Sequence, residues 1–305
     1  MPLLLKNKFI EVSSVKEVGG IIQDKANLLR QQYNLGNYCG RSIFDIIEKL
    51  EIENSNPLLF RLPFKNNELA GFVGYKNNRF AIYTNTNKTL GYEIFTAAHE
   101  IYHIVENRLV LKKNIVLQEE FSEEQKEKTE NSEILADIFA AELLMPETDI
   151  KKEYHRLLNK YRLSTADESI IVMLQQIYFV EYKAVTKRLR EIGANNYNKE
   201  TENQLNRILL QKNDLPQLTK RLGYSSDLNE LSKTKVYLPK VILSMIKENY
   251  QRLRTSHDDL IVLFSYAGVV PEYFGYEEDE ELSDVAKTLE EKLKIKLGSD
   301  RFGKK

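Results

Sequence analysis

The run Thr96-Ala97-Ala98-His99-Glu100-Ile101-Tyr102-His103-Ile104-Val105 constrains this chain more than any other, because two histidines stand four residues apart and a glutamate follows the first. On an α-helix, residues i and i+4 project from one face, so both imidazoles can hold one metal ion while Glu100 flanks a water on that ion. Phe95, Ala97, Ala98, Ile101, Ile104 and Val105 make the segment largely apolar, so it reads as a buried helix that carries three polar groups. Buried polar groups need partners, and a metal supplies one. Two core histidines satisfied by backbone carbonyls are the alternative. The chemistry that suits the pattern is metal-assisted hydrolysis. Zinc accepts imidazole and carboxylate ligands in a tetrahedral site, and Glu100 would take a proton from the attacking water and hand it to the leaving amine.

Two histidines do not hold a catalytic zinc, so a third ligand has to come from downstream. Glu133 is the best candidate. It opens Glu133-Ile134-Leu135-Ala136-Asp137, which continues as Ile138-Phe139-Ala140-Ala141-Glu142-Leu143-Leu144-Met145-Pro146. Rich in Ala and Leu and without Gly or Pro before Pro146, this run reads as a second buried helix that stops at the proline. Glu133 and Asp137 are i and i+4 on it. Glu133 can reach the metal, and Asp137 can accept the free N–H of a ligating histidine and so fix its tautomer. For an isolated motif of this kind, a solvated pair of carboxylates favoured by the helix dipole is the alternative. Glu130 is a rival third ligand, but it lacks an aspartate four residues on.

Taken together, His99-Glu100-Ile101-Tyr102-His103 and the run from Glu133 to Pro146 resemble the ImmA/IrrE family of metallo-endopeptidases, and the phrase Phe-Ala-Ala-Glu-Leu-Leu-Met-Pro carries most of the likeness. The resemblance implies a gluzincin-like zinc site with His99, His103 and Glu133 as ligands and Glu100 as base. It also implies a biological role, the cleavage or inactivation of a repressor-type transcription regulator in bacteria, often within mobile elements or stress responses. Many relatives carry Gly before the second histidine, where this chain has Tyr102, a difference that leaves the ligand set intact. The likeness is strong from about residue 40 to 150 and fades after about 195.

At 305 residues the chain is long enough for a substantial core and for two domains. Lys plus Arg is 44 and Asp plus Glu 45, so a net charge of -1 gives no global field toward nucleic acid or an anionic membrane. The single cysteine, Cys39, excludes an intrachain disulfide, fits a reducing cytoplasm and reads as a small buried residue rather than a nucleophile. Pro2-Leu3-Leu4-Leu5 is too short for a signal-peptide core or a membrane span, and no later run is long enough. A cytoplasmic protein is expected.

Helical spacing runs from Val15 to Leu35 and from Ser42 to Leu50. Aromatic and β-branched residues then predict strands at Leu58–Leu62, Ala70–Tyr75 and Arg79–Thr84, with a hairpin turn at Lys76-Asn77-Asn78. The fold expected is α+β, a zinc-peptidase core with a small antiparallel sheet packed on helices, followed by a mostly α-helical C-terminal region. An edge strand of that sheet is expected to pair with an extended substrate. Glu106 to Asn131 alternates in charge and reads as a solvated connection. Ile150–Leu158, Ile170–Val180 and Tyr182–Gly193 read as helices, the last two resembling the helix-turn-helix-like segment that follows the peptidase core in the same family. Lys187, Arg188 and Arg190 would suit DNA reading, but a packing helix with snorkelling side chains is the preferred account. His155 could donate to an oxyanion, although an ordinary surface histidine is the preferred reading, as for His257.

A polar break at Asn195-Asn196-Tyr197-Asn198 precedes several amphipathic helices, among them Val241–Leu253 and Asp258–Ala267, then Leu282–Leu297 and a basic tail from Arg301 to Lys305. The organisation expected is a metallopeptidase domain over 1–160, a helix-turn-helix-like segment over 161–195 and a helical domain over 196–305 that recognises the substrate or senses a signal. The partner expected is a protein substrate of the repressor type. The competing expectation is a metal-binding regulator that acts on a partner protein or DNA without proteolysis.

Overall fold

The computed structural model describes residues 15–106, 108–113, 123–211, 213–252 and 254–276, together with Thr288. Helix α1 (Val15–Gln32) buries Ile22, Ala26 and Leu29, a row at i, i+4 and i+7 that forms one apolar face. A 3-10 turn at Cys39–Ser42 leads into α2 (Ile43–Lys49), where Ile43, Ile46 and Ile47 are buried. Cys39 lies in the core with its Sγ 3.2 Å from the Leu143 carbonyl, and burial pushes its thiol pKa up, away from nucleophilic use.

Strands β1 (Leu58–Leu62), β2 (Gly71–Lys76) and β3 (Arg79–Asn85) form a sheet in the order β1-β3-β2. β2 and β3 make the predicted hairpin. Its two-residue turn places Asn77 at φ 52° and Asn78 at φ 58°, a geometry whose twist matches that of the strands. The sheet is nevertheless mixed rather than antiparallel, since β1 runs parallel to β3 with Leu58 beside Ala81 and Leu62 beside Asn85. The connection explains this. Residues 63–70 carry the chain to the far edge, so that β3 returns through the middle. Buried Asn85 pins that loop, accepting from Phe64 N at 3.1 Å and donating to Leu69 O at 2.8 Å.

Helix α3 (Leu90–Glu106) packs on β2 and β3, and the short α4 (Arg108–Lys113) follows it. Helix α5 (Glu123–Leu144) packs on both α1 and α3. Because α5 begins at Glu123, part of the charged stretch that reads as a solvated connection is helical. Glu, Lys and Gln are good helix formers, and neither Gly nor Pro interrupts residues 123–131. Helices α6 (Glu147–Tyr161), α7 (Glu168–Tyr178), α8 (Tyr182–Glu191), α9 (Lys199–Leu205) and α10 (Asp214–Arg221) extend one hydrophobic cluster that starts at Ile22 and reaches Leu228.

A second cluster, centred on Val236, Leu238, Leu260, Phe264 and Ala267, unites α11 (Lys240–Gln251) with α12 (His257–Ser265), and Phe60 and Leu62 of β1 pack against it. The segment before α11 runs back along the first unit. Leu90 N donates to Glu230 O at 2.9 Å, and Arg61 and Tyr237 exchange backbone hydrogen bonds of 3.0 and 2.8 Å. Pro2–Leu5, the helix expected at Leu282–Leu297 apart from Thr288, and the tail Arg301–Lys305 lie outside the described residues. No helix among the described residues is long and apolar enough to cross a membrane.

These parts meet at a buried ion pair. Arg61 of β1 donates through Nε and Nη2 to the two carboxylate oxygens of Glu93 in α3, each at 2.8 Å. Thr84 of β3 donates to Glu93, and Arg61 donates to Ser232, also at 2.8 Å. Removing one partner of such a pair strands the other charge in the interior. Arg61→Met is therefore expected to cost about 3–5 kcal/mol of stability, measured by urea denaturation at neutral pH. A loss under about 1 kcal/mol would show that Glu93 finds compensation elsewhere.

Candidate metal centre

The pentad His99-Glu100-Ile101-Tyr102-His103 sits in the last two turns of α3. His99 and His103 project from one side of the helix, and Glu133 of α5 meets them there. His99 Nε2 lies 3.1 Å from His103 Nε2 and 3.0 Å from Glu133 Oε2, and His103 Nε2 lies 3.4 Å from Glu133 Oε1. Among the described residues these three form the one group of donors clustered tightly enough to hold a metal ion, with ligand atoms within 4.8 Å of one another. Helices α3 and α5 pack directly on one another, with the Tyr102 ring against that of Phe139, and Ala97, Ala98, Ala136 and Ala140 of the two helices are fully buried in the same cluster.

Asp137, one turn beyond Glu133, completes the arrangement. Its Oδ1 lies 3.1 Å from His99 Nδ1, and its Oδ2 accepts from Lys187 Nζ at 2.9 Å. With Nδ1 protonated toward Asp137, a neutral His99 turns a bare Nε2 toward a carboxylate oxygen and a second imidazole nitrogen. Lone pairs crowded in this way require a shared cation. When the cation is a proton, His99 carries it. Burial works to lower the His99 pKa, but hydrogen bonds to Asp137 and Glu133 and the nearby Glu100 outweigh it and raise the pKa to about 9. Glu133 is held far below the usual carboxylate range by its hydrogen bonds to His103 and His99. Two imidazoles and a carboxylate, with the Glu133 side chain 53% exposed and so a side open to solvent, make a donor set that a divalent transition metal fits.

Glu100 behaves differently. It is buried and is not one of the three donors, and burial pushes its carboxyl up to about 6, although His99 and His103 pull the other way. Gly71 of β2 lies against it. A Cβ at that position would stand 2.6 Å from Thr96 Cγ2, 2.8 Å from the Tyr83 carbonyl and 3.3 Å from Glu100 Oε1, so no side chain has room there. Tyr102 is buried, its ring edge-on to that of His103 at 5.6 Å and tilted against Phe139 at 5.8 Å. Tyr102 is thus a packing residue beside His103.

The other candidates fall elsewhere. Glu130 lies on α5, but its side chain is outside the described residues. His155 packs beside Tyr154 on α6, and His257 lies 3.6 Å from Glu272; neither joins the three donors. The basic run on α8 is engaged by carboxylates. Arg188 is buried and donates to Glu142 and, at 3.1 Å, to the Met145 carbonyl; Arg190 donates to Glu202 at 2.5 Å; Lys187 reaches Asp137. Sequence reasoning missed Lys187 as part of the centre. The readable signal is Glu142, a carboxylate between Ala141 and Leu143 that needs a buried cation and finds it on the helix that carries Lys187.

The family described as IrrE N-terminal-like domain, peptidase M78, matches residues 52–190, from just before β1 to the last turn of α8. Comparison with curated proteins finds no match. The matched span contains the pentad, Glu133, Asp137 and Lys187, and residues 52–190 belong to the ImmA/IrrE family of metallopeptidases.

Proposed function

We propose that this protein is a zinc-dependent endopeptidase that hydrolyses a peptide bond in a partner protein. His99, His103 and Glu133 are the ligands, Glu100 is the general base, and Asp137 supports His99. The observation that carries the reading is the convergence of three donors from two helices beside a buried carboxyl that is not one of them. Bound zinc supplies Lewis acidity, polarising a carbonyl and making water a stronger acid. The rest falls to the chain. Glu100, with its pKa raised to about 6, is ionised near neutral pH yet basic enough to take a proton from water and return it to the departing amine. Asp137 holds the Nδ1–H of His99 and so aims Nε2 at the cluster.

The substrate reading follows from the sheet. β2 is an edge of the sheet among the described residues, and Gly71 brings it against Glu100, so an extended segment paired with β2 would lie next to the base. Such pairing uses backbone groups and asks little of the substrate's sequence. The proposed partner is a repressor-type regulator in the cytoplasm, as the resemblance of the pentad and the run from Glu133 to Pro146 to the ImmA/IrrE family implies. Engagement of Lys187, Arg188 and Arg190 by carboxylates supports a packing role for α8 over DNA reading.

Glu100→Gln should keep zinc and lose cleavage of its repressor substrate by about a hundred- to ten-thousand-fold, assayed against repressors encoded beside its gene with and without chelator. Undiminished biological activity of this variant would mean that the protein acts by binding. In the unsubstituted enzyme kcat/KM should fall as pH drops below about 6, because a protonated Glu100 accepts nothing. Glu133→Ala should lower zinc content measured by elemental analysis, and unchanged loading would hand the third position to Glu130 or water. Gly71→Ala should retain zinc while cutting cleavage at least about tenfold through displacement of β2 from α3; full activity would remove β2 from the substrate's path.

A further inference from the structure

Building on the metallopeptidase reading, we propose that Lys187 is a positioning residue of the metal centre, which clamps Asp137 so that His99 keeps Nδ1 protonated and Nε2 aimed at the metal. The two oxygens of Asp137 have different partners. Oδ1 meets His99 Nδ1 at 3.1 Å and Oδ2 meets Lys187 Nζ at 2.9 Å, so the carboxylate is fixed at both ends. The side chain of Asp137 is 40% exposed. Without its second anchor it is free to turn toward water and let the imidazole rotate. Glu191, 3.9 Å from Lys187 Nζ and one turn on, braces the amine from its own helix.

α8 does not depend on Lys187 for its place. Its neighbour Arg188 is buried in an ion pair with Glu142 of α5, and Val185 and Leu189 are fully buried in the main cluster. Two consecutive side chains of α8 thus grip two carboxylates of α5. Arg188 fixes the helix, and Lys187, 43% exposed, is left to serve the metal centre. The lysine acts through Asp137 and His99 and touches neither substrate nor metal.

The test uses the full chain. Zinc affinity is measured by competition with a chromophoric chelator for the unsubstituted protein, Lys187→Met, Lys187→Arg and Asp137→Asn, and the zinc-loaded forms are labelled with 15N-histidine. With four histidines in the chain, the Nδ1–H resonance of His99 can be assigned by substitution. Lys187→Met should weaken zinc binding about tenfold and shift or broaden the His99 Nδ1–H signal, with melting temperature little changed. Lys187→Arg should restore most of both, and adding Lys187→Met to Asp137→Asn should cost little more than Asp137→Asn alone. Unsubstituted affinity and an unshifted His99 signal in Lys187→Met overturn this proposal alone, as does a fall in melting temperature without either change. An unsubstituted chain that takes up no zinc overturns it together with the peptidase reading.

Discussion

Everything distinctive about this protein depends on how closely α3 and α5 pack. Three donor atoms with lone pairs meet within 4.8 Å because the two helices pack directly on one another, Tyr102 of α3 against Phe139 of α5, inside the main buried cluster. The hydrophobic effect thus does the work of holding together groups that repel one another unless a cation joins them. The fold supplies the approach, and a proton or a metal supplies the charge that makes it tolerable.

Around that point the polar side chains form layers rather than a list. Glu133 takes its charge from the two histidines, Asp137 takes His99 from behind, and Lys187 takes Asp137. Glu100 stands apart from the chain of pairs and is left with burial as its main influence, which is why its carboxyl moves in the opposite direction to that of Glu133. Two neighbouring helices therefore carry one carboxyl that burial pushes toward its neutral form and one that its histidine partners hold in its charged form.

Much of this is legible in the residues. The i, i+4 spacing of His99 and His103 puts them on one face wherever the helix lies, and the same spacing on the second helix selects Glu133 and Asp137. The strands show themselves through aromatic and β-branched runs, and Asn77-Asn78 marks its hairpin. What escapes is whatever depends on distant pairing. The parallel alignment of β1 is set by a loop that Asn85 holds from across the sheet. The start of α5 at Glu123 is hidden because a charged run fits a helix as well as a tether. Lys187, fifty positions beyond Asp137, looks like any surface lysine until α8 is docked.

The hydrogen bond from Leu90 to Glu230 and the paired backbones of Arg61 and Tyr237 carry a lesson about modularity. The helix that bears the pentad opens on a carbonyl delivered by Glu230, and the same late segment bridges the outer edge of β1 at Arg61 through Tyr237. Recombination that exchanged everything after the matched span would take away this seam. A hybrid gene has to carry residues 230–237, or a mimic of them, along with the metal-binding part, so the late segment and the peptidase part are expected to be inherited as one piece.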